Sequence, residues 1–253
     1  MNMEFRQVRV TREDVKLLRQ TPPSERHPKN EDFVKDAYLN DFIPKPWGHE
    51  YRVYIDNLYD IWKLTIKPGH MTSTHCHPRK ETVLICLAGH GRLRSSAGEQ
   101  TVKSGDYVHI KKGAFHSTEN IGNNDLDLVE VEMPRNKFDL VRVGDHYGRA
   151  TKKYESEALD TQGLAPMMSV DMDKPALVRD SDLQGKYKFE LGRFPDVVTT
   201  ASVICHINVD VEPFLQDRIC VYRETGQIHQ TDKEHGLFLT IFHTNLTNEV
   251  HYI

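Results

Sequence analysis

The hydrophobic period changes along the chain, and each change marks a region. In residues 1–43 apolar side chains recur at helical intervals. Val15, Leu17 and Leu18 follow Thr11 and Asp14, which supply an N-cap and an acidic first turn. Thr21-Pro22-Pro23-Ser24 stops that helix, and Asn30 opens a second one carrying Phe33, Ala37, Tyr38 and Phe42. Both helices read as cover for a barrel end or a dimer partner, not as carriers of chemistry.

From Lys45 to Pro134 the pattern shortens to strands and turns. Residues 62–66 alternate and end at Pro68-Gly69. Residues 81–87 end at Ala88-Gly89, and Gly91-Arg92-Leu93-Arg94 with Gly98-Glu99 forms a hairpin region. Residues 107–110 precede Lys111-Lys112-Gly113, and residues 126–133 close the series. Many short strands with glycine turns predict a sandwich or barrel over 44–149. Glu81, Val83, Ile85 and Leu87 share one parity, so Glu81 is expected on an inner face with an apolar row. Glu130 and Glu132 also share a parity, opposite Val129 and Val131. They line either a polar cavity or a solvated outer face.

Residues 150–178 are polar and irregular and read as a linker or extended arm. In 179–253 the runs 197–204, 219–222 and 237–243 are dense in β-branched and aromatic side chains, which favours sheet. They form a second small β domain or extend the first. His206, His229, His235 and His243 lie there without ligand spacing.

Composition narrows the function classes. The 253 residues carry a formal charge of -4, so nothing indicates a nucleic-acid partner. No run approaches the roughly 18 apolar residues of a membrane span. The segment Met1-Asn2-Met3-Glu4-Phe5-Arg6 lacks the apolar core of a secretory signal. Cys76, Cys86, Cys205 and Cys220 form no C-x-x-C pair, so reduced thiols and a cytoplasmic location are expected.

The candidate chemistry sits in two stretches. The first runs from Gly69 through His75, His77 and Glu81 to Gly89. The second runs from Gly105 through Gly113 and His116 to Asn120. In a strand, His75 and His77 share a face, and Cys76 points away. Three imidazoles and a carboxylate make a mixed nitrogen and oxygen set suited to Zn, Fe(II), Mn, Ni or Cu(II).

These stretches resemble the two cupin motifs: Gly, five residues, His-x-His, three or four residues, Glu, about six residues, Gly; then Gly, five residues, Pro-x-Gly, two residues, His, three residues, Asn. Lys111 stands where Pro is common, and the spacing from Glu81 to Gly89 is one residue longer than usual. Neither departure falls on a ligand. The resemblance implies a mainly β, double-stranded β-helix (jelly roll) for the barrel, to which the residue patterns add N-terminal helices and a β-rich C-terminal segment. It implies one divalent transition metal on His75, His77, Glu81 and His116, zinc first, with Fe, Mn, Ni or Co as other fits.

A subset of cupins is more similar still. Lys45-Pro46-Trp47-Gly48-His49-Glu50-Tyr51, Lys63, Lys67-Pro68-Gly69, His77-Pro78-Arg79-Lys80-Glu81, Val129-Glu130-Val131-Glu132 and the run from Asp139 to Arg149 resemble type II mannose-6-phosphate isomerase domains. That family usually has Gln where His75 stands. The resemblance implies aldose–ketose isomerisation of an anionic, phosphorylated sugar in carbohydrate metabolism. The expected acid–base residues are Glu130, Glu132 or His109. Lys63, Arg79, Arg142, Tyr147 and Arg149 are the expected substrate contacts. A homodimer is implied by analogy. A cupin Fe(II) dioxygenase, a sugar epimerase or lyase, and a non-catalytic metal- or sugar-binding module use the same residues and stay open.

Overall fold

Three antiparallel-rich sheets carry nearly all of the described structure. The structure, a computed structural model, describes residues 6–21, 42–58, 60–148, 164–170, 176–193, 203–209, 219–221 and 237–244. The nine-stranded sheet runs Arg6–Val8, Tyr107–Ile110, Glu81–Ala88, Leu126–Met133, Asp60–Ile66, Gly48–Ile55, Ala176–Val178 and Met168–Val170, and Ile43–Lys45 also pairs with Gly48–Ile55. The five-stranded sheet runs Val141–Gly144, Thr74–Cys76, His116–Asn120, His90–Ser95 and Gly98–Lys103. These two sheets form a double-stranded β-helix. The crossing order, with 81–88 beside 126–133 and 74–76 beside 116–120, is the jelly-roll exchange of strands between layers.

A third sheet, Tyr187–Arg193, Leu237–His243, Val203–Asn208 and Ile219–Val221, covers the outside. Phe189, Ile207, Leu239 and Ile241 share one buried cluster with Val83, Ile85, Leu87, Val129 and Val131. The C-terminal β-rich segment is therefore a separate sheet that shares a core with the barrel. This sheet also settles the strand faces. The row Val83, Ile85, Leu87 is apolar because it meets the third sheet, so it is the outer row. The inner row is Thr82, Leu84 and Cys86, with Leu84 and Cys86 packing into barrel clusters. Glu81 goes with the outer row, contrary to the expected inner placement. Two apolar faces on one sheet leave parity unable to name the inside. The strand also carries a bulge, where Ala88 pairs with Asp127 but Cys86 pairs with Leu128.

The N-terminal region differs from an all-helical extension. Arg6–Val8 lies parallel to Tyr107–Ile110, and the helix follows over Arg12–Gln20. Thr11 caps it reciprocally: the Asp14 amide donates to Thr11 Oγ1 at 3.3 Å, and the Thr11 amide donates to Asp14 Oδ2 at 2.6 Å. The other Asp14 oxygen accepts the Phe115 amide at 2.9 Å, which ties this helix to the residue before His116. The second expected helix, opened by Asn30, falls on 22–41, outside the described residues; of its apolar set only Phe42 is described. In the stretch read as a linker or arm, Met168–Val170 and Ala176–Val178 add two strands to the edge of the nine-stranded sheet.

Candidate metal centre

Three histidines meet inside the barrel. His75 and His116 are directly paired on neighbouring strands of the five-stranded sheet. His77 follows the strand Thr74–Cys76. Its carbonyl accepts the Gly113 amide at 2.7 Å, which joins the two motif loops. Gly113 has φ +80°, a left-handed turn that favours glycine. The ring centroids are 4.5 Å apart for His75–His116, 5.1 Å for His75–His77 and 5.7 Å for His77–His116. One ring nitrogen from each lies within 4.8 Å of the others.

All three rings are held in the same way. His75 Nδ1 lies 2.8 Å from the Ser73 carbonyl, His77 Nδ1 2.6 Å from the Asp139 carbonyl, and His116 Nδ1 3.0 Å from the Ala114 carbonyl. A carbonyl only accepts, so each Nδ1 carries the proton and each Nε2 keeps its lone pair. The His77 Nε2 is buried with no hydrogen-bond partner. Burial lowers all three basicities: His116 falls to about 4, and His75 and His77 fall well below the usual range, with neighbouring positive groups adding to the effect. The rings are neutral at neutral pH. Three neutral imidazoles with fixed tautomers and converging lone pairs fit a divalent transition metal.

Carboxylates and cations line the rest of the cavity, about 630 Å³ including its mouth. Glu130 and Glu132 point inward, so the polar-cavity reading of their shared parity holds. Each offers an oxygen within 4.8 Å of a His77 nitrogen and of the other. Lys137 reaches Glu130 at 3.3 Å and both Glu50 and Glu132 at 3.6 Å, with its ammonium 4.1 Å from the Trp62 ring centroid. Lys80 stands 2.6 Å from Glu132, and Lys45 stands 3.4 Å from Glu50. Burial pushes Glu130 up to about 7 against the pull of Lys137. For Glu132 burial also works upward, but Lys137 and Lys80 together hold its carboxyl below the ordinary value. For Lys137 the three carboxylates outweigh burial and raise its basicity.

Asp139 explains the loop that carries His77. It is fully buried, and one of its oxygens accepts the Arg79 and Lys80 amides at 2.8 and 2.9 Å while its carbonyl takes the His77 proton. Arg142 is the Cα partner of His75, lines the cavity and donates to Ser73 Oγ at 3.1 Å.

Several expected site residues lie elsewhere. Glu81 is on the outer face, 2.7 Å from His109 Nε2 and 2.9 Å from Lys111 Nζ, so neither Glu81 nor His109 faces the cavity. Lys63 is also on the outer face, buried, 2.6 Å from Asp127, because it alternates with the inward Trp62 and Leu64. The Arg79 side chain is exposed. Tyr147 packs against the cluster that holds Trp47 and Trp62, with its hydroxyl accepting the Met71 amide at 3.3 Å and its ring stacked on His70. Arg149 lies outside the described residues. The cavity residues Lys45, Glu50, Lys80 and Lys137 were not expected. Lys and Glu ordinarily mark solvated surface, and the only available signal was that three of them fall inside the quoted motif blocks.

Residues 62–132 match the family model described as the cupin domain. The chain carries a cupin domain. Among curated proteins it is similar to mannose-1-phosphate guanylyltransferase ManC of Salmonella typhimurium, 30% identical over 116 residues, which cover 45% of this chain and 24% of that protein. It is similar also to mannose-1-phosphate guanylyltransferase of Escherichia coli K12, 29% identical over 109 residues, covering 42% and 23%. This chain thus spans about a quarter of the length of these relatives. Among solved structures, a conserved protein with a double-stranded β-helix domain from Klebsiella pneumoniae aligns at TM-score 0.35 and 20% identity, over 46% of this chain and 99% of that one. The capsular polysaccharide assembling protein CapF of Staphylococcus aureus aligns at 0.36 and 20%, over 39% and 32%. No helix among the described residues is long and apolar enough to cross a membrane.

Proposed function

We propose that this cupin holds one divalent transition metal on His75, His77 and His116 and isomerises an anionic sugar, of the sugar-phosphate class, between aldose and ketose forms. The observation that carries the reading is the shared tautomer of the three rings, each Nδ1 turned to a backbone carbonyl and each Nε2 left for the cavity beside two carboxylates. The metal, when bound, supplies Lewis acidity to a sugar carbonyl or hydroxyl oxygen. Glu130 moves the proton. Aldose–ketose exchange takes a proton from the carbon beside the carbonyl and returns it to the former carbonyl carbon. A carboxyl poised near 7 exists in both forms at neutral pH and suits both halves. Lys137 keeps Glu130 oriented through their 3.3 Å contact. Arg142 and Lys45, both lining the cavity, hold the anionic end of the substrate. The curated relatives are named for a sugar phosphate, mannose 1-phosphate, which supports the substrate class.

The test is a panel of aldose and ketose phosphates, mannose 6-phosphate first, given to protein reloaded in turn with Zn, Mn, Co, Ni and Fe(II). Solvent-deuterium incorporation at the carbon beside the carbonyl is the readout. Incorporation that disappears in Glu130→Gln supports the reading. Oxygen uptake by the iron form without sugar turnover would replace it with the oxygenase reading.

A further inference from the structure

We infer that the carboxylate partner of the metal is Glu132, on the strand Leu126–Met133, and not Glu81, and that Lys80 occupies its place until the metal enters. The inference rests on the reading that the three histidines bind a metal. It starts from an unusual meeting of buried polar atoms. His77 Nε2, both carboxylate oxygens of Glu132 and the Lys80 ammonium all lack a directed hydrogen bond, and all three residues line the same cavity. A Glu132 oxygen lies within 4.8 Å of a His77 ring nitrogen. Lys80 Nζ is 2.6 Å from Glu132 Oε1, an ion pair with poor hydrogen-bond direction. A native interior rarely leaves this many polar atoms unsatisfied without a ligand that completes them.

Glu130 is distinguished from Glu132 by its contacts. One Glu130 oxygen accepts from Lys137 at 3.3 Å, while Glu132 Oε1 has the misdirected 2.6 Å Lys80 ion pair with Lys137 3.6 Å away, and its Oε2 has no hydrogen-bond partner. Glu81 is excluded by side. It belongs to the outer row of its strand, bonded to His109 and Lys111, and it neither lines the cavity nor joins the cluster of converging ligand atoms. The cation count fits an exchange. Lys80 and Lys137 both approach Glu132 Oε1, at 2.6 and 3.6 Å, while Oε2 has no hydrogen-bond partner, so a divalent ion bound through Oε2 draws on the same carboxylate charge that holds the nearer Lys80. Metal and the Lys80 ammonium then compete for one carboxylate.

The test measures metal affinity by chelator competition on purified apo-protein titrated with zinc, for the wild type, His77→Ala, Glu81→Gln, Glu132→Gln and Lys80→Met. Cobalt(II) absorption spectra and circular dichroism are recorded on the same samples. Binding in the wild type that is lost in His77→Ala establishes the underlying metal reading separately. No binding in the wild type would remove that reading and this inference with it. Given binding, Glu132→Gln is expected to weaken it by at least about tenfold, the scale for lost metal-supporting groups, and to change the cobalt spectrum, while Glu81→Gln stays near wild type. Lys80→Met is expected to bind more tightly. A Glu81→Gln variant that loses the metal, or a folded Glu132→Gln variant that keeps wild-type affinity, overturns the inference. If Glu132→Gln does not fold, the Lys80→Met and Glu81→Gln arms decide, and unchanged affinity in Lys80→Met overturns it.

Discussion

On the outer face of the nine-stranded sheet, Lys63, Asp127, Thr65 and Tyr187 form a closed set. Lys63 Nζ donates to Asp127 at 2.6 Å and to Thr65 Oγ1 at 2.8 Å, Thr65 donates to the same Asp127 oxygen at 2.8 Å, and the Tyr187 hydroxyl donates to the other at 3.0 Å. On the inner face of the same sheet, Glu50, Glu130, Glu132, Lys80 and Lys137 form an open set beside three lone-pair-bearing histidines. Both sets are buried and charged; the outer one holds Lys63, which was expected among the substrate contacts, and the inner one holds Lys80 and Lys137, which were not expected there. They differ in satisfaction and in room. The outer set has its hydrogen bonds and joins the barrel to the third sheet. The inner set leaves His77 Nε2, Lys80 Nζ and the Glu132 oxygens without directed partners and faces a cavity. Buried charge alone therefore does not mark a functional site; buried charge with unmet hydrogen-bonding capacity beside open space does.

That contrast breaks most sharply at Glu130. Glu130→Gln is expected to cut isomerase turnover by about 10²–10⁴-fold, the range for losing a general acid–base group, with zinc content unchanged. Metal loss in this variant would show that the residue holds the metal and does not carry the proton. Asp127→Ala is expected to do the converse. It strands the Lys63 ammonium in the interior, and removal of one member of a buried pair costs about 3–5 kcal/mol. Denaturant unfolding reads that loss. A cost below about 1 kcal/mol would mean that the outer set contributes like a surface pair.

The pH dependence sharpens the comparison on the inner side. His75, His77 and His116 have folded-state pKa values below the ordinary 6.5, with His116 at about 4. Between the two values the unfolded chain binds more protons than the folded one. Stability of the metal-free protein is therefore expected to be present above about 6.5 and to be lost as pH falls toward 4, with a slope of at most about 1.4 kcal/mol per pH unit per histidine. Glu130 acts with the opposite sign. Its raised value makes the folded state the better proton binder from 4.5 up to about 7, so its contribution falls as pH rises through that window. Three histidines outnumber one carboxyl, and the net slope below 6.5 is expected to be positive. A flat profile between 4 and 6.5 in thermal unfolding would contradict neutral, buried rings. The smallest effect is expected at the N-terminal helix. Thr11→Ala removes a helix cap and costs about 1 kcal/mol. Because Asp14 links that helix to Phe115, zinc affinity measured in the same variant reports whether the helix also steadies His116.

Much of the barrel was legible in the chain. The strands expected at 81–87, 107–110 and 126–133 are found at Glu81–Ala88, Tyr107–Ile110 and Leu126–Met133, because alternation bounded by glycine turns is a strong local signal. The strand Arg6–Val8 was not, since three residues led by Arg6 and Gln7 carry no period. The convergence of His75, His77 and His116 followed from motif spacing. The side taken by Glu81 did not, because the third sheet makes the outer row as apolar as an inner one. The same cause misplaced Lys63. Lys45, Glu50, Lys80 and Lys137 were invisible as a set, since long charged side chains enter a barrel only when partners from distant strands neutralise them, and no sequence period encodes that.

The most direct test of the central claim is metal analysis of wild-type protein, stripped and reloaded, beside His77→Ala. The account predicts close to one zinc, manganese, cobalt, nickel or iron per chain in the wild type and none retained by the variant. A wild type that retains none of these ions, or a His77→Ala protein that retains the ion at the same ratio, would contradict it.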